Sequence, residues 1–304
     1  MKLWIDTDLG TDVDDALALA YALRHPEIEL VGVSTVFGDV ELRTRMAVEL
    51  LRMGGHPEIP VVTGLGKPIS EGRNGLMFGH EGRGLLEDPS PRSTTERDPK
   101  PLERIDAIAE ALSRSGAEAI VAIGPMTNLG ALSQSGVALP PLTIMGGKIE
   151  DVELPGTHPA IAEWNWYCDP EAVRLTLASP HAVPPQIVPI EVTITTALEA
   201  SDLDTLSQGD ELAQTLATLS REWLIVLRDK LGASEPKVAL HDPLAIATLV
   251  ETDLCPFEQR QIRVDEKGFT HQESAGAPVS VAVDVDRTTL RSHLMETWSK
   301  ADSE

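Results

Sequence analysis

The chain has 304 residues, 42% of them hydrophobic, and its 48 acidic against 25 basic side chains give a net charge of −23. So large an acidic excess argues against nucleic acid or an anionic membrane as partner, since both are recognised by basic patches. No apolar run reaches the ~20 residues of a membrane span. Cys168 and Cys255 stand singly and far apart, so neither a disulfide framework nor a cysteine zinc site is indicated.

The first residues lead straight into a strand without a basic head and apolar core, which reads as cytoplasmic. The basic residues are mostly Arg, and the acidic balance suits a high-salt cytosol or an ordinary acidic enzyme equally.

The first predicted element is a buried strand over residues 3–5, followed by the most unusual stretch of the chain. Asp6, Asp8, Asp12, Asp14 and Asp15 surround Gly10 and precede an Ala-rich helical pattern running to Arg24. Acidic residues suit the first turn of a helix, where free N–H groups and the dipole favour them. That accounts for one or two. Five carboxylates so close repel and raise one another's pKa unless something positive sits among them, and no Lys or Arg lies between Lys2 and Arg24. A bound cation is the simplest neutraliser, and an all-oxygen donor set points to Ca²⁺ or Mg²⁺.

His25-Pro26 ends that helix, residues 28–36 read as a second strand, and 42–53 as an amphipathic helix closed by Gly54-Gly55. A short strand follows at 60–62. From Gly64 to Pro101 the pattern breaks down into Gly, Pro, Ser and charge, with G-H-E-G-R-G-L at 79–85. A loop this long is either functional or a solvated excursion.

The alternation resumes with a helix around 105–115, a strand at 119–123, Gly124-Pro125 and a helix from Thr127. Another strand at 142–145 ends in Gly146-Gly147. Glycines just past strand ends are where an open α/β sheet receives its ligand. A second irregular stretch, 155–159, leads into E-W-N-W-Y-C-D-P at 163–170, then a helix at 171–178 and a strand at 186–190.

A long helix spans 209–231, and His241-Asp242-Pro243 opens a helix ending near Val250. Residues 260–264 and 279–285 alternate like antiparallel strands before a last helix from Thr288. The expected fold is α/β: one domain over 1–304, built on an open, mostly parallel sheet flanked by helices.

Polar clusters thus stand at three strand-to-helix junctions, 6–15, 163–169 and 241–242. The stretch D-T-D-L-G-T-D-V-D-D-A-L-A-L resembles the N-terminal signature of the inosine–uridine-type nucleoside hydrolases. S-T-V-F-G-D, G-P-M-T-N-L, I-M-G-G, E-W-N-W-Y-C-D-P-E-A and H-D-P-L-A are similar to that family's later landmarks in order and spacing. The resemblance covers nearly the whole chain and implies a Rossmann-like core and hydrolysis of the N-glycosidic bond of ribonucleosides.

It further implies a Ca²⁺ at the pocket floor, with Asp8, Asp15, Asp242 and the Ile123 carbonyl as ligands and the ribose 2′- and 3′-hydroxyls completing the shell. Asp14, Glu163 and Asn165 are implied as partners of the sugar hydroxyls, with Met145 packed beside them. His241 fills the position of the leaving-group acid in purine-cleaving relatives, and members are commonly dimers or tetramers.

Chemistry supports these roles independently. Cleavage passes through an oxocarbenium-like sugar, which anionic carboxylates favour over the ground state. Asp8, a ligand that touches the attacking water, is the natural general base.

Three departures stand out. The spacing from Gly10 to Asp14 is longer than in the commonest family form. Asp39 replaces a frequent asparagine beside the scissile bond, as an extra acid or merely a cap on the turn. Thr157 stands where an asparagine often holds the 5′-hydroxyl.

Trp164 and Trp166 flank Asn165, and strand-like alternation would turn both away from the sugar. Trp223 and Arg228 lie on the long helix in a region that often covers the base. Two rival readings are a catalytically idle, calcium-dependent nucleoside or sugar binder on the same fold, and a haloacid-dehalogenase-type phosphatase. The latter rests on D-x-D after the first strand, with Lys148 and Glu150-Asp151 pressed into service.

Overall fold

The computed structural model describes residues 1–90, 99–154, 161 and 163–299. In chain order the strands are β1 (Lys2–Thr7), β2 (Glu29–Thr35), β3 (Val61–Thr63), β4 (Ala119–Ala122), β5 (Leu142–Met145), β6 (Gln186–Val188), β7 (Ala197–Leu198), β8 (Val238–Ala239), β9 (Phe257–Val264), β10 (Thr270–Gln272) and β11 (Ala277–Ala282). The helices are α1 (Asp14–Arg24), α2 (Val40–Met53), α3 (Pro101–Ser115), α4 (Thr127–Gln134), α5 (Trp164–Cys168), α6 (Pro170–Ala178), α7 (Ile190–Thr193), α8 (Ala200–Leu206), α9 (Glu211–Asp229), α10 (His241–Ala247) and α11 (Arg287–Trp298).

Among the described residues nine strands form one sheet in the order β10-β9-β11-β6-β5-β4-β1-β2-β3, and β7 pairs with β8 apart from it. Neighbours from β11 through β6, β5, β4, β1 and β2 to β3 all pair in parallel, while β9 runs antiparallel to β10 and β11.

Alternation along β1 sorts its side chains between two helical layers. Leu3 and Ile5 enter a core shared with Leu17 of α1, Met46 of α2, Leu212 of α9, Leu244 of α10 and Leu290 of α11. Trp4 enters the opposite core, with Ile108 of α3, Leu129 of α4 and Val173 of α6. Gly32 on β2 makes room for that indole, because a Cβ there would lie 2.2 Å from the Trp4 ring.

The parallel strands β3-β2-β1-β4-β5-β6 change direction of growth between β1 and β4. In open α/β sheets that switch point, at the carboxyl ends of the strands, is where a ligand crevice opens.

The short elements depart from expectation. The strand expected over 186–190 ends at Val188, and Pro189 then caps α7. The segment around Asn165 is the helix α5, not an alternating strand, because Glu163 caps it by accepting from the Asn165 and Trp166 amides. Asp169 anchors the irregular segment after β3 by accepting from the Ile69 and Ser70 amides and the Ser70 and Thr127 hydroxyls. Thr157 lies outside the described residues.

Candidate active site

β1 delivers the chain to a tight loop, residues 8–13, that turns into α1. The Thr7 hydroxyl donates to Asp15 and accepts from the Leu9 amide, which folds the loop back on the strand end. Gly10 adopts φ +113°, with the Met46 methyl where its Cβ would be. Arg43 of α2, wholly buried, braces the loop from below. Its guanidinium donates to the carbonyls of Asp8, Leu9 and Phe37 and to the Thr11 hydroxyl, and lies 3.9 Å from the Asp8 carboxylate.

Asp14 and Asp15 occupy the first turn of α1, and Asp242 the first turn of α10, which packs against it. One carboxylate oxygen from each lies within 4.8 Å of the others, and all three residues are buried. Burial first, then mutual repulsion, holds their carboxyls well above the usual range. Burial also raises Asp8 despite the opposing Arg43 charge, and pushes Asp12, on the rim of the cluster, up to about 7. A buried all-oxygen set of this kind holds either protons or a hard cation, so its donor chemistry fits a calcium-like ion.

The other expected residues come from the ends of β4 and β5 and from the start of α5. Gly124 packs directly on Asp8, since a Cβ there would lie 2.7 Å from Asp8 Oδ1. The Asn165 amide group donates to the carbonyls of Ile123, at 3.1 Å, and Met145, at 3.2 Å. Glu163 accepts from the Asn165 amide on one oxygen and from the Trp166 and Gly147 amides on the other. Burial outweighs those three donors and raises Glu163 to about 6. Of a carboxylate's roughly four acceptor positions, one remains for a ligand hydroxyl.

His241 opens α10, with Nδ1 2.6 Å from the Thr193 hydroxyl of α7. Burial pushes it down to about 4, so the ring is neutral at physiological pH. Asp39 caps α2, with Oδ1 accepting from the Leu42 amide at 3.0 Å.

Two expectations need correction. Asp6 does not join the cluster, because strand alternation turns it to the Trp4 face. There it accepts from Ser34 and Asn128, and burial raises it to about 7. Nor does the cluster lack a protein counter-charge, since Arg43, remote in sequence, supplies one.

Trp166 is fully buried against Gly146 and Gly147, whereas Trp164 faces Phe78 and Tyr167 with ring centroids about 6 Å apart. Arg228 is exposed and paired with Asp229. The G-H-E-G-R-G-L stretch is not a solvated excursion. Glu81 gathers the amides of Phe78, Gly79 and His80, His80 Nε2 meets the Thr11 carbonyl at 2.8 Å, and the His80 ring stacks on Trp223. His80, Trp223, Asp12 and Met46 line one cleft beside the aspartate loop. Sequence reasoning missed Arg43 and Thr193 outright and did not place His80, although its motif was visible.

The profile described as "Inosine-uridine preferring nucleoside hydrolase" matches residues 3–292. Uridine nucleosidase 1 of Arabidopsis thaliana is 32% identical over 282 residues, which cover 88% of this chain and 79% of that protein. A plant nucleoside hydrolase structure superposes with a TM-score of 0.79 at 26% identity, covering 99% of both chains. A purine-preferring ribonucleoside hydrolase from Gardnerella vaginalis gives 0.78 at 26% identity, covering 98% of both. The chain therefore belongs to the inosine-uridine preferring nucleoside hydrolase family, glycosidases that cleave the N-glycosidic bond of nucleosides.

Proposed function

We propose that this protein hydrolyses ribonucleosides to free base and ribose in a calcium-dependent reaction centred on Asp8, Asp14, Asp15 and Asp242. The observation that carries this reading is the convergence of three buried carboxylates from α1 and α10 at the switch point of the sheet. Asp8, Asp15, Asp242 and the Ile123 carbonyl would hold the ion. When bound, it compensates the carboxylates, acidifies a water and orients the vicinal diol of the ribose.

Asp8 takes the proton of the attacking water; Gly124 and Arg43 hold it in place for that transfer. Asp14, Glu163 and Asn165 engage sugar hydroxyls, with Met145 packed beside them, and the carboxylates favour positive charge developing on the ribose. His241, oriented by Thr193, donates a hydrogen bond from Nε2 to the departing base while neutral, and passes it a proton only from its imidazolium form, returning to the neutral ring. Relatives named for uridine and for purines both resemble the chain, so their names do not choose its base. A homodimer or homotetramer is the proposed assembly.

The phosphatase reading falls with the family assignment. The binder reading is tested by reducing-sugar release across a panel of ribonucleosides, with calcium and after chelation. Calcium-restored turnover is expected, with Asp8→Asn slower by at least ~10² in kcat, as for loss of a general base. Full activity in metal-free protein, or an Asp8→Asn variant near wild type, refutes the assignment.

A further inference from the structure

At the far ends of the two helices that carry Asp14, Asp15 and Asp242 lies a second cluster of donors. His25 caps the C-terminus of α1, Glu251 follows α10, and His293 projects from α11. One ligating atom from each lies within 4.8 Å of the others. His25 is buried, and the other two are partly exposed, so an ion could enter from solvent. With 11 residues in α1, the cluster stands about 16 Å along the helix axis from the catalytic carboxylates.

We infer that His25, Glu251 and His293 form a second metal site, taking a transition-metal dication of the zinc class and separate from the catalytic centre. The donor set decides the class, because two imidazoles and one carboxylate suit zinc and its neighbours rather than calcium or magnesium.

The geometry around His293 carries the inference beyond mere proximity. Its Nδ1 faces Glu251 at 3.7 Å, longer than a hydrogen bond, while its Nε2 lies 2.7 Å from the Tyr21 hydroxyl. A ligating histidine commonly has its second nitrogen engaged in this way, which fixes the ring and leaves the first lone pair for the metal. Ligands at ~2.0–2.1 Å in a tetrahedron stand roughly 3.3 Å apart. The His293–Glu251 pair at 3.7 Å is close to that spacing, and the His25 donor, within 4.8 Å of both, closes by at most about 1.5 Å.

The three rings of Tyr21, His25 and His293 pack with centroids 5.2–5.6 Å apart, which restricts their reorientation. Burial, and after it the charges of Glu251 and Glu27, raise the Tyr21 hydroxyl, which therefore stays protonated. An ion here ties α1, α10 and α11 together at the end opposite the catalytic carboxylates.

The test is a calorimetric titration of the full chain with Zn²⁺ after the protein has been saturated with calcium. One zinc per chain is expected, with a rise in Tm. Co²⁺ in its place should give the visible spectrum of imidazole ligation. His293→Gln and Glu251→Gln should each abolish the zinc heat and the Tm shift while leaving calcium-supported activity in zinc-free buffer unchanged. Tyr21→Phe, which removes only the outer partner, should weaken zinc about 10–100-fold. No zinc heat in calcium-saturated wild type overturns the inference. So does zinc affinity that survives in His293→Gln, or a cobalt spectrum without imidazole character.

Discussion

Arg43 offers the sharpest test of how this chain builds its site, because nothing in the local sequence announces it. Arg43→Met keeps the volume and removes the guanidinium. The carbonyls of Asp8, Leu9 and Phe37 then lose their donor under α2. An unsatisfied buried polar group costs about 1–3 kcal/mol, so three of them set a ceiling near 9. Gly10, Thr11 and Asp12 are only half-buried, and water reaching the loop lowers the cost toward about 3–5 kcal/mol. Against a total of roughly 5–15 kcal/mol, that is large enough to read in a urea titration with calcium present.

The consequence for catalysis is separable. The loop carries Asp8, and a misplacement of about 1 Å in a reacting group is worth ~10² in rate. Arg43→Lys keeps the charge but loses the planar fork that reaches several carbonyls at once. It should therefore lose less stability than Arg43→Met and still lose about tenfold or more in kcat, with little change in KM. Stability within ~0.5 kcal/mol of wild type for Arg43→Met would refute the bracing argument, since that is the scatter of a neutral surface change. Lost stability with unchanged kcat would make Arg43 structural only.

Two further outcomes follow from contacts elsewhere. If His241 is the leaving-group donor, His241→Ala should slow inosine by ~10²–10⁴ and p-nitrophenyl riboside far less. Asp39→Asn should be nearly silent on both, because asparagine caps a helix as well as aspartate does; equal slowing of both substrates by both variants would leave neither residue as the acid. Asp210 caps α9 and pairs with the nearly buried Arg24, whose charge helps hold its carboxyl below the usual range against burial. A depressed native pKa means stability that is present above the unfolded value of ~3.9 and lost as pH falls through the native one. Asp210→Asn should flatten that acid limb of a Tm-against-pH curve, and an unchanged limb would exclude the pair as its source.

The long periodic elements were legible because each repeats its signal. α1, α2, α9 and the strands β1, β2 and β5 follow from spacing alone, and their order led to the parallel sheet. What failed was short or depended on partners distant in sequence. Trp-Asn-Trp alternates like a strand, yet Glu163 starts a helix there and Trp166 packs on Gly146 and Gly147 from another connection. β7 and β8 have two residues each, too few to show a period. Asp6 and Asp8 look equivalent in D-T-D, and a period of two would place them on one face. Only the end of β1 at Thr7, where the chain leaves the sheet for the loop, separates a carboxylate buried among Ser34 and Asn128 from one at the cluster. Arg43 lies 28 positions beyond Asp15, and only the return of α2 beneath the loop brings it to the aspartates.

The charge balance at the site explains why the fold assembles so many carboxylates with so little opposite charge. Asp8, Asp12, Asp14, Asp15 and Asp242 bring five negative charges together when ionised. Arg43 returns one, and the N-termini of α1 and α10 each contribute about half a positive charge, leaving roughly −3. Protein alone cannot sustain that in a buried setting, which is why burial drives these groups toward protonation. A dication reduces the residue to about −1 by the same count. That remainder suits the reaction, because the ribose becomes positively charged only at the transition state and a fixed negative field favours it there. A second arginine would bring the empty site to about −2 and the ion-loaded one to about zero by the same count, stabilising the empty site and weakening the chemistry.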